Sequence, residues 1–113
     1  MHLPTPRSGT ADQNLQTLSA KARDASSFLK AIAHHSRLLI LHLLSDEEKT
    51  VGQLEESLGI QQAMVSQQLA RLRMEGLVSS RREGRQIYYR VTRPDIVIFL
   101  RSLFDQFPEP HES

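Results

Sequence analysis

Apolar positions along this chain repeat at helical spacing in four stretches and alternate in a fifth. Leu15, Leu18, Ala22, Ala25, Leu29 and Ile32 step by three and four, which predicts a first helix with a heptad-like stripe. Thr10 and Gln13 have capping-box spacing and set its start, after a polar, disordered tail over residues 1–10. A break near His34-His35-Ser36 precedes RLLILHLLS, the most apolar helix and the expected centre of the core. Asp46 to Lys49 then read as a charged turn. Thr50 and Gln53 repeat the capping-box spacing and open a short helix through Leu58, which Gly59 stops. A further helix is expected from Gln61 to Glu75, with Gly76 as its stop. Its apolar face is Val65, Leu69 and Leu72, so Gln62, Ser66, Gln67, Ala70 and Arg73 look outward or sideways. Leu77–Arg82 and Gln86–Val91 are β-prone runs about Gly84, a hairpin pattern. Tyr88 and Tyr89 fall on opposite faces, so one is expected in the core and the other exposed. Pro94 suits the first turn of a last helix that Pro108 ends, followed by a loose tail over 108–113. The stripe of that helix is Ile96, Leu100, Leu103 and Phe107, flanked by Val97, Phe99 and Phe104.

The expected fold is therefore mainly α with a small β-hairpin, in the order α-α-α-α-β-β-α, over residues 11–107. A short helix, a turn, a polar second helix and a basic hairpin together make a winged helix-turn-helix, a module that binds duplex DNA. Taken alone, the helix QQAMVSQQLARLR reads equally well as an ordinary amphipathic helix with an uncharged face. Its coupling to the short helix and the hairpin decides for DNA. Gln bonds an adenine edge at two points, Ser accepts or donates, and Arg grips guanine or phosphate. The candidate DNA contacts are Gln61, Gln62, Met64, Ser66 and Gln67 on the leading half of the helix, with Arg71 suited to a phosphate or a neighbouring acid. On the hairpin they are Arg81, Arg82, Arg85 and Gln86.

Composition changes the picture in three ways. With 113 residues the chain makes one small domain with a thin core, and a second subunit sharing apolar surface suits it. The first stripe either packs on its own domain or is shared across a dimer; the dimer is the favoured reading. It is assigned Leu15, Leu18, Ala22, Ala25 and Leu29 from the first helix, and Leu100, Leu103, Phe104 and Phe107 from the last. Net charge is only +1, but residues 61–93 carry seven Arg against Glu75 and Glu83, a net of +5 that leaves −4 for the remainder. Segregation of this kind is an electrostatic footprint for nucleic acid. Finally, the chain has no cysteine, so disulfides, thiolate metal sites and thiol redox sensing are excluded. The apolar run Leu38–Leu44 is too short to span a bilayer, and MHLPTPRSGT lacks the apolar core of a secretory signal. A cytoplasmic protein is expected, with no membrane partner. No nucleophile, paired catalytic acid or phosphate loop is present, so no enzyme and no cofactor are expected. His35 and His42 share a helical face but stand roughly 10 Å apart along it, too far for one tetrahedral ion. With His34 they would need a ligand from another helix or subunit, and polar packing is preferred to a metal or haem site. His2 and His111 fall in the expected loose ends.

The blocks FLKAIAHHSRLLILHLL, VGQLEESLGI, MVSQQLARLRMEGLV and RREGRQIYYRV, in this order, resemble the ArsR/SmtB family of small bacterial winged-helix repressors over roughly Phe28 to Val91. The resemblance implies a homodimer built from the first and last helices, an inverted-repeat operator, and repression relieved by an inducer. It places recognition at Gln62, Ser66 and Gln67 and the wing at Arg81 to Gln86. Within the family LLILHLL and VSQQLARLR are most similar to the BigR/SqrR/HlyU-like branch, whose sensing cysteines this chain lacks: His42 stands at one position and a residue near Pro108 at the other. The family's Cys-x-Cys metal pair would fall near Thr50 and Gly52, which cannot serve. Its other metal site uses Asp and His on the last helix, and here only Asp95 and Asp105 are offered. An inducer, if the chain has one, is left unidentified. Two other functions stay open: an anti-silencing activator of the HlyU kind, and a winged-helix module that docks protein.

Overall fold

The computed structural model describes residues 9–110, and the chain divides into two compact units, one ending at Lys30 and the other starting at Ala31. The first unit is the body of helix α1 (Gly9–Ile32). Leu15, Leu18 and Leu29 are each at least half exposed on it, and Ala22 and Ala25 are exposed between them, so the stripe is an open apolar face. The side chain of Thr10, most of the expected N-terminal tail, His2 and His111 lie outside the described residues.

The second unit holds α2 (His35–Asp46), β1 (Lys49–Thr50), α3 (Val51–Leu58), α4 (Gln62–Met74), β2 (Val78–Glu83), β3 (Gln86–Val91) and α5 (Pro94–Asp105). Each boundary has a local cause. His34 takes the N-cap position of α2, and its Nδ1 accepts a 3.2 Å hydrogen bond from the Ser36 amide. The break expected there is thus a cap, and one of the three candidate histidines has a structural partner. Thr50 and Gln53 form the full capping box of α3: Gln53 N–H donates to Thr50 Oγ1 at 3.1 Å, and Thr50 N–H donates to Gln53 Oε1 at 2.9 Å. Gly59 ends α3 at φ 67°, a left-handed conformation that costs a side-chain-bearing residue.

The sheet is antiparallel in the order β1-β3-β2. Its first strand was not expected. The two residues at the end of the charged stretch pair with the hairpin, Lys49 opposite Tyr89 and Thr50 opposite Tyr88. Ladder bonds come from the backbone, so a two-residue strand needs no apolar pattern and leaves none to read. Its addition makes β3 the central strand, which corrects the expectation for the tyrosines. Both are half-buried, because the Arg81 guanidinium lies 4.7 Å from the Tyr88 ring centre while Tyr89 faces α4 across a cleft.

The core is formed by Ile40, Leu41 and Leu44 of α2, Leu54 of α3, Val65, Leu69 and Leu72 of α4, and Ile96 and Leu100 of α5, with Leu77 and Val78 beside them. Leu100 was expected at a subunit interface. It is 1 % exposed within its own unit, because it shares the buried face of α5 with Ile96 four residues earlier. Leu103 and Phe104 are half-buried, and Phe107, 69 % exposed, lies beyond the helix. The helix stops at Asp105 rather than running to Phe107, since the residue before a proline is disfavoured in helical geometry. Apart from β1 this is the winged helix-turn-helix that the sequence predicts.

Replacing Thr50 with Ala should cost about 1 kcal/mol, the usual worth of an N-cap side chain, read as a lower urea midpoint at unchanged slope. An unchanged midpoint would mean that the capping box does not hold α3.

Candidate nucleic-acid interface

The turn between α3 and α4 fixes which face of α4 is displayed. After Gly59, Gln61 stands at the N-cap in extended geometry and makes no side-chain cap, while its carbonyl accepts from Met64 and Val65 N–H at 3.0 and 3.1 Å. No acidic residue occupies the first turn of α4, where one would favour the helix dipole but repel a phosphate. Val65, Leu69 and Leu72 enter the core, so Gln61, Gln62, Ser66 and Gln67 are exposed on the leading half, with Met64 45 % exposed beside them.

One residue of this helix was missed. Gln68 is buried at 7 % exposure, on the apolar face between Val65 and Leu72. Its Oε1 accepts from Arg37 Nη1 of α2 at 2.9 Å, and its Nε2 lies 3.8 Å from Met64 Sδ as donor. Arg37 Nε also donates to the Ala31 carbonyl at 2.5 Å. A half-buried guanidinium fork thus joins the end of α1, the start of α2 and the middle of α4. The signal was available: Gln68 stands three residues after Val65 and four before Leu72, a core position for a polar residue that must then find a partner.

The wing turns at Gly84-Arg85, with Glu83 opposite Gln86 and Gly84 at φ 63° as the first of two turn residues, the pattern of a type II′ hairpin. Arg82, Arg85 and Gln86 are exposed around this tip, and among the described residues neither arginine has an ion pair or hydrogen bond. Arg81 differs from the expectation. Its Nε donates to both oxygens of Glu48, at 3.1 and 2.9 Å, its Nη2 also reaches Glu48, and its Nη1 donates to Glu83 at 2.9 Å. The guanidinium lies over the Tyr88 ring as well. It is committed within the protein and anchors the base of the wing. Glu48 lies 33 residues away in sequence, so no local pattern could pair the two. The hydrogen bonds from Arg81 hold the Glu48 carboxyl below its ordinary pKa of 4.5, and the same contacts raise Arg81. Arg71 takes the second of its two expected roles, pairing with Glu75 one turn along at 3.5 Å.

On α4 and at the wing tip, three positive charges are left without an ion pair. Arg73 on α4 and Arg82 and Arg85 on the wing have no ion pair among the described residues. Ser66, Ala70, Arg73 and Met74 of α4 and Tyr89 of β3 line one cleft of about 440 Å3, so the outer side of the helix and the hairpin flank a shared space. Such a surface can read base edges from a rod and hold phosphates beside it. The two histidines of α2, His35 and His42, are both exposed, and the His42 ring lies 5.0 Å from that of Phe104. Among the described residues no three His, Asp or Glu side chains are grouped to hold a metal ion. No helix described is long and apolar enough to cross a membrane.

Known proteins share this arrangement. The family model for bacterial regulatory proteins of the arsR family matches residues 34–80. A biofilm growth-associated repressor of Agrobacterium fabrum is 36% identical over 99 residues, covering 88% of this chain and 85% of that protein. The transcriptional activator HlyU of Vibrio cholerae is 37% identical over 93 residues, covering 82% and 86%. The crystal structure of the transcriptional repressor BigR from Xylella fastidiosa superposes with a TM-score of 0.77 at 34% identity, covering 84% of this chain and 97% of that one.

Two outcomes follow from this geometry. Arg37→Ala leaves the buried Gln68 oxygen without a donor and should cost about 1–3 kcal/mol, while adding Gln68→Leu should return part of the loss. Simple addition of the two costs in urea melts would show that the pair is not coupled. For the wing anchor, a carboxyl lowered on folding contributes stability above its ordinary pKa and loses it as pH falls through the lowered value. The stability gap between wild type and Glu48→Gln should stay level from about pH 6 to 8 and close below about pH 4, near the ordinary carboxylate range. A gap that instead opens on acidification would contradict the ion pair.

Proposed function

This chain belongs to the ArsR family of bacterial DNA-binding regulatory proteins, and on that premise we propose that it acts as a homodimeric repressor of an inverted-repeat operator. The observation that carries this reading is the display of an uncharged hydrogen-bonding face on α4 beside unpartnered wing arginines. Gln62, Ser66 and Gln67 read base edges in the major groove, with Gln61 and Met64 at the groove wall. Arg82 and Arg85, with Gln86 at the tip, meet the backbone or the adjoining minor groove. Arg81 supports them from below as the wing's anchor. Arg71 lies close enough to the helix end to exchange Glu75 for a phosphate.

Twofold pairing is supported by apolar surface that the chain does not cover itself. α1 offers Leu15, Leu18, Ala22, Ala25 and Leu29, and the last helix and its exit offer Leu103, Phe104 and Phe107. Two recognition helices then address half-sites about one helical turn apart, roughly 34 Å, or a multiple of it. Repression accords with the names of the Agrobacterium and Xylella relatives. The Vibrio relative is named an activator, so a reporter compared with and without this gene settles the sign. With no cysteine, any release from DNA proceeds without a thiol switch. Function in the cytoplasm, where the DNA is, and without catalysis completes the proposal.

Gln62→Ala with Ser66→Ala should lower discrimination between the operator and a scrambled duplex by about tenfold or more, at 1–3 kcal/mol per good base contact, with the assembly intact. Retained discrimination in a gel-shift titration counts against base reading by α4. Leu18→Asp should yield monomers with much weaker operator binding, and sedimentation showing an undisturbed dimer would remove α1 from the interface.

A further inference from the structure

The cleft between α4 and β3 is lined by residues that the reading above gives no contact role beyond Ser66. We propose that it seats one phosphate of the DNA backbone, with Arg73 supplying the charge and the Tyr89 hydroxyl a hydrogen bond, while Ser66 keeps its base-reading role at the end of the cleft. The inference rests on the DNA-binding reading and adds a contact between the base-reading helix and the wing.

Four observations support it. Ser66, Ala70, Arg73 and Met74 are spaced by four, three and one, so they form a single stripe about two turns long, roughly 10 Å, on the side of α4 that faces the hairpin. A passing strand of nucleic acid matches that length better than a small ion does. Ala70 stands mid-stripe with only a methyl group, which lets a bulky backbone approach the helix. Charge is the third point. Arg71 is neutralised by Glu75 and Arg81 by Glu48 and Glu83, while the exposed Arg73 side chain has no ion pair or hydrogen bond among the described residues. One uncompensated guanidinium fits one phosphodiester, a single negative charge whose oxygens suit its planar fork. Last, the wall opposite is fixed. Tyr89 sits on the central strand, paired with Lys49 on one side and Ser80 on the other, and is half-buried. Tyr89 lines the cleft from this paired strand, so its side chain has little freedom to lose on binding. Ser66 closes the end nearest the exposed glutamines, so a phosphate here is continuous with bases read by Gln62 and Gln67.

The test is fluorescence anisotropy with the whole protein, using a duplex from upstream of its own gene and a scrambled duplex of equal length, across a potassium chloride series. Arg73→Gln should weaken both duplexes by the same factor, about tenfold at low salt, and reduce the slope of log affinity against log salt by roughly 0.9, the value for one phosphate. Arg73→Lys should keep the slope, and Tyr89→Phe should weaken both duplexes with the slope unchanged. An unchanged slope in Arg73→Gln overturns the seat, as does a loss confined to the operator, which would make Arg73 a base contact. A third arm titrates inorganic phosphate at fixed ionic strength: displacement of DNA from wild type but not from Arg73→Gln would assign the cleft to a free anion. If wild type binds neither duplex with salt dependence, the DNA reading itself fails, whereas the preceding outcomes remove the seat alone.

Discussion

Everything that this protein displays depends on how α4 is held. A helix reads a groove only if its opposite face is immobile, because each base contact is lost by a shift comparable to a hydrogen-bond length. Val65, Leu69 and Leu72 provide the non-directional part of that restraint by entering the core against α2. Apolar packing alone tolerates small slides and rotations. The Arg37–Gln68 fork adds direction, since a planar guanidinium at 2.9 Å fixes both the rotation and the axial position of the helix that carries its acceptor. Burying that pair is worth little as net stability, because desolvation offsets most of the gain. Its use is to make a single register of α4 preferred over its neighbours.

The wing is held by a different device suited to its exposure. A two-stranded ribbon is marginal by itself, and here β1 adds a third strand while Glu48 grips Arg81 from beyond the sheet. Stacking on Tyr88 adds a flat support beneath the guanidinium. An exposed ion pair of this kind contributes little to global stability. It does limit how far the hairpin can swing, and the two residues at the tip inherit that restraint. Rigidity at the base and free charge at the tip are thus separate jobs, given to Arg81 and to Arg82 with Arg85.

This division explains what could be read from the sequence. The helices, both strands of the hairpin, the capping box, the stops at Gly59 and Gly76 and the turn at Gly84 follow from spacing and from residues with narrow backbone preferences. The outward face of α4 follows from the positions of three apolar residues. What escaped depends on long-range pairing. β1 is held by backbone bonds that leave no mark on side chains, and the partner of Arg81 comes from the far end of another loop. Leu100 and Leu103 belong to one stripe in sequence, yet only the first is taken into the core, and no helical period separates those fates. Gln68 was different, because a polar residue within an apolar stripe stands out in the amino-acid pattern alone and signals a partner elsewhere.

Charge distribution links these features to selectivity. Non-specific attraction to DNA scales with the number of phosphates a protein neutralises, and it competes with the operator at every other site on the chromosome. A net charge of +1 keeps that background low. The acids around α4 and the wing reinforce this, since Glu75, Glu48 and Glu83 each pair with an arginine that would otherwise add unspecific attraction. On α4 and at the wing tip, Arg73, Arg82 and Arg85 keep charge without an ion pair among the described residues. On the proposed reading, a phosphate backbone meets all three together only when α4 lies in the groove at one depth and angle. Few charges, well placed, would make electrostatic attraction depend on correct docking, the same docking that the proposal needs to bring Gln62, Ser66 and Gln67 against base edges.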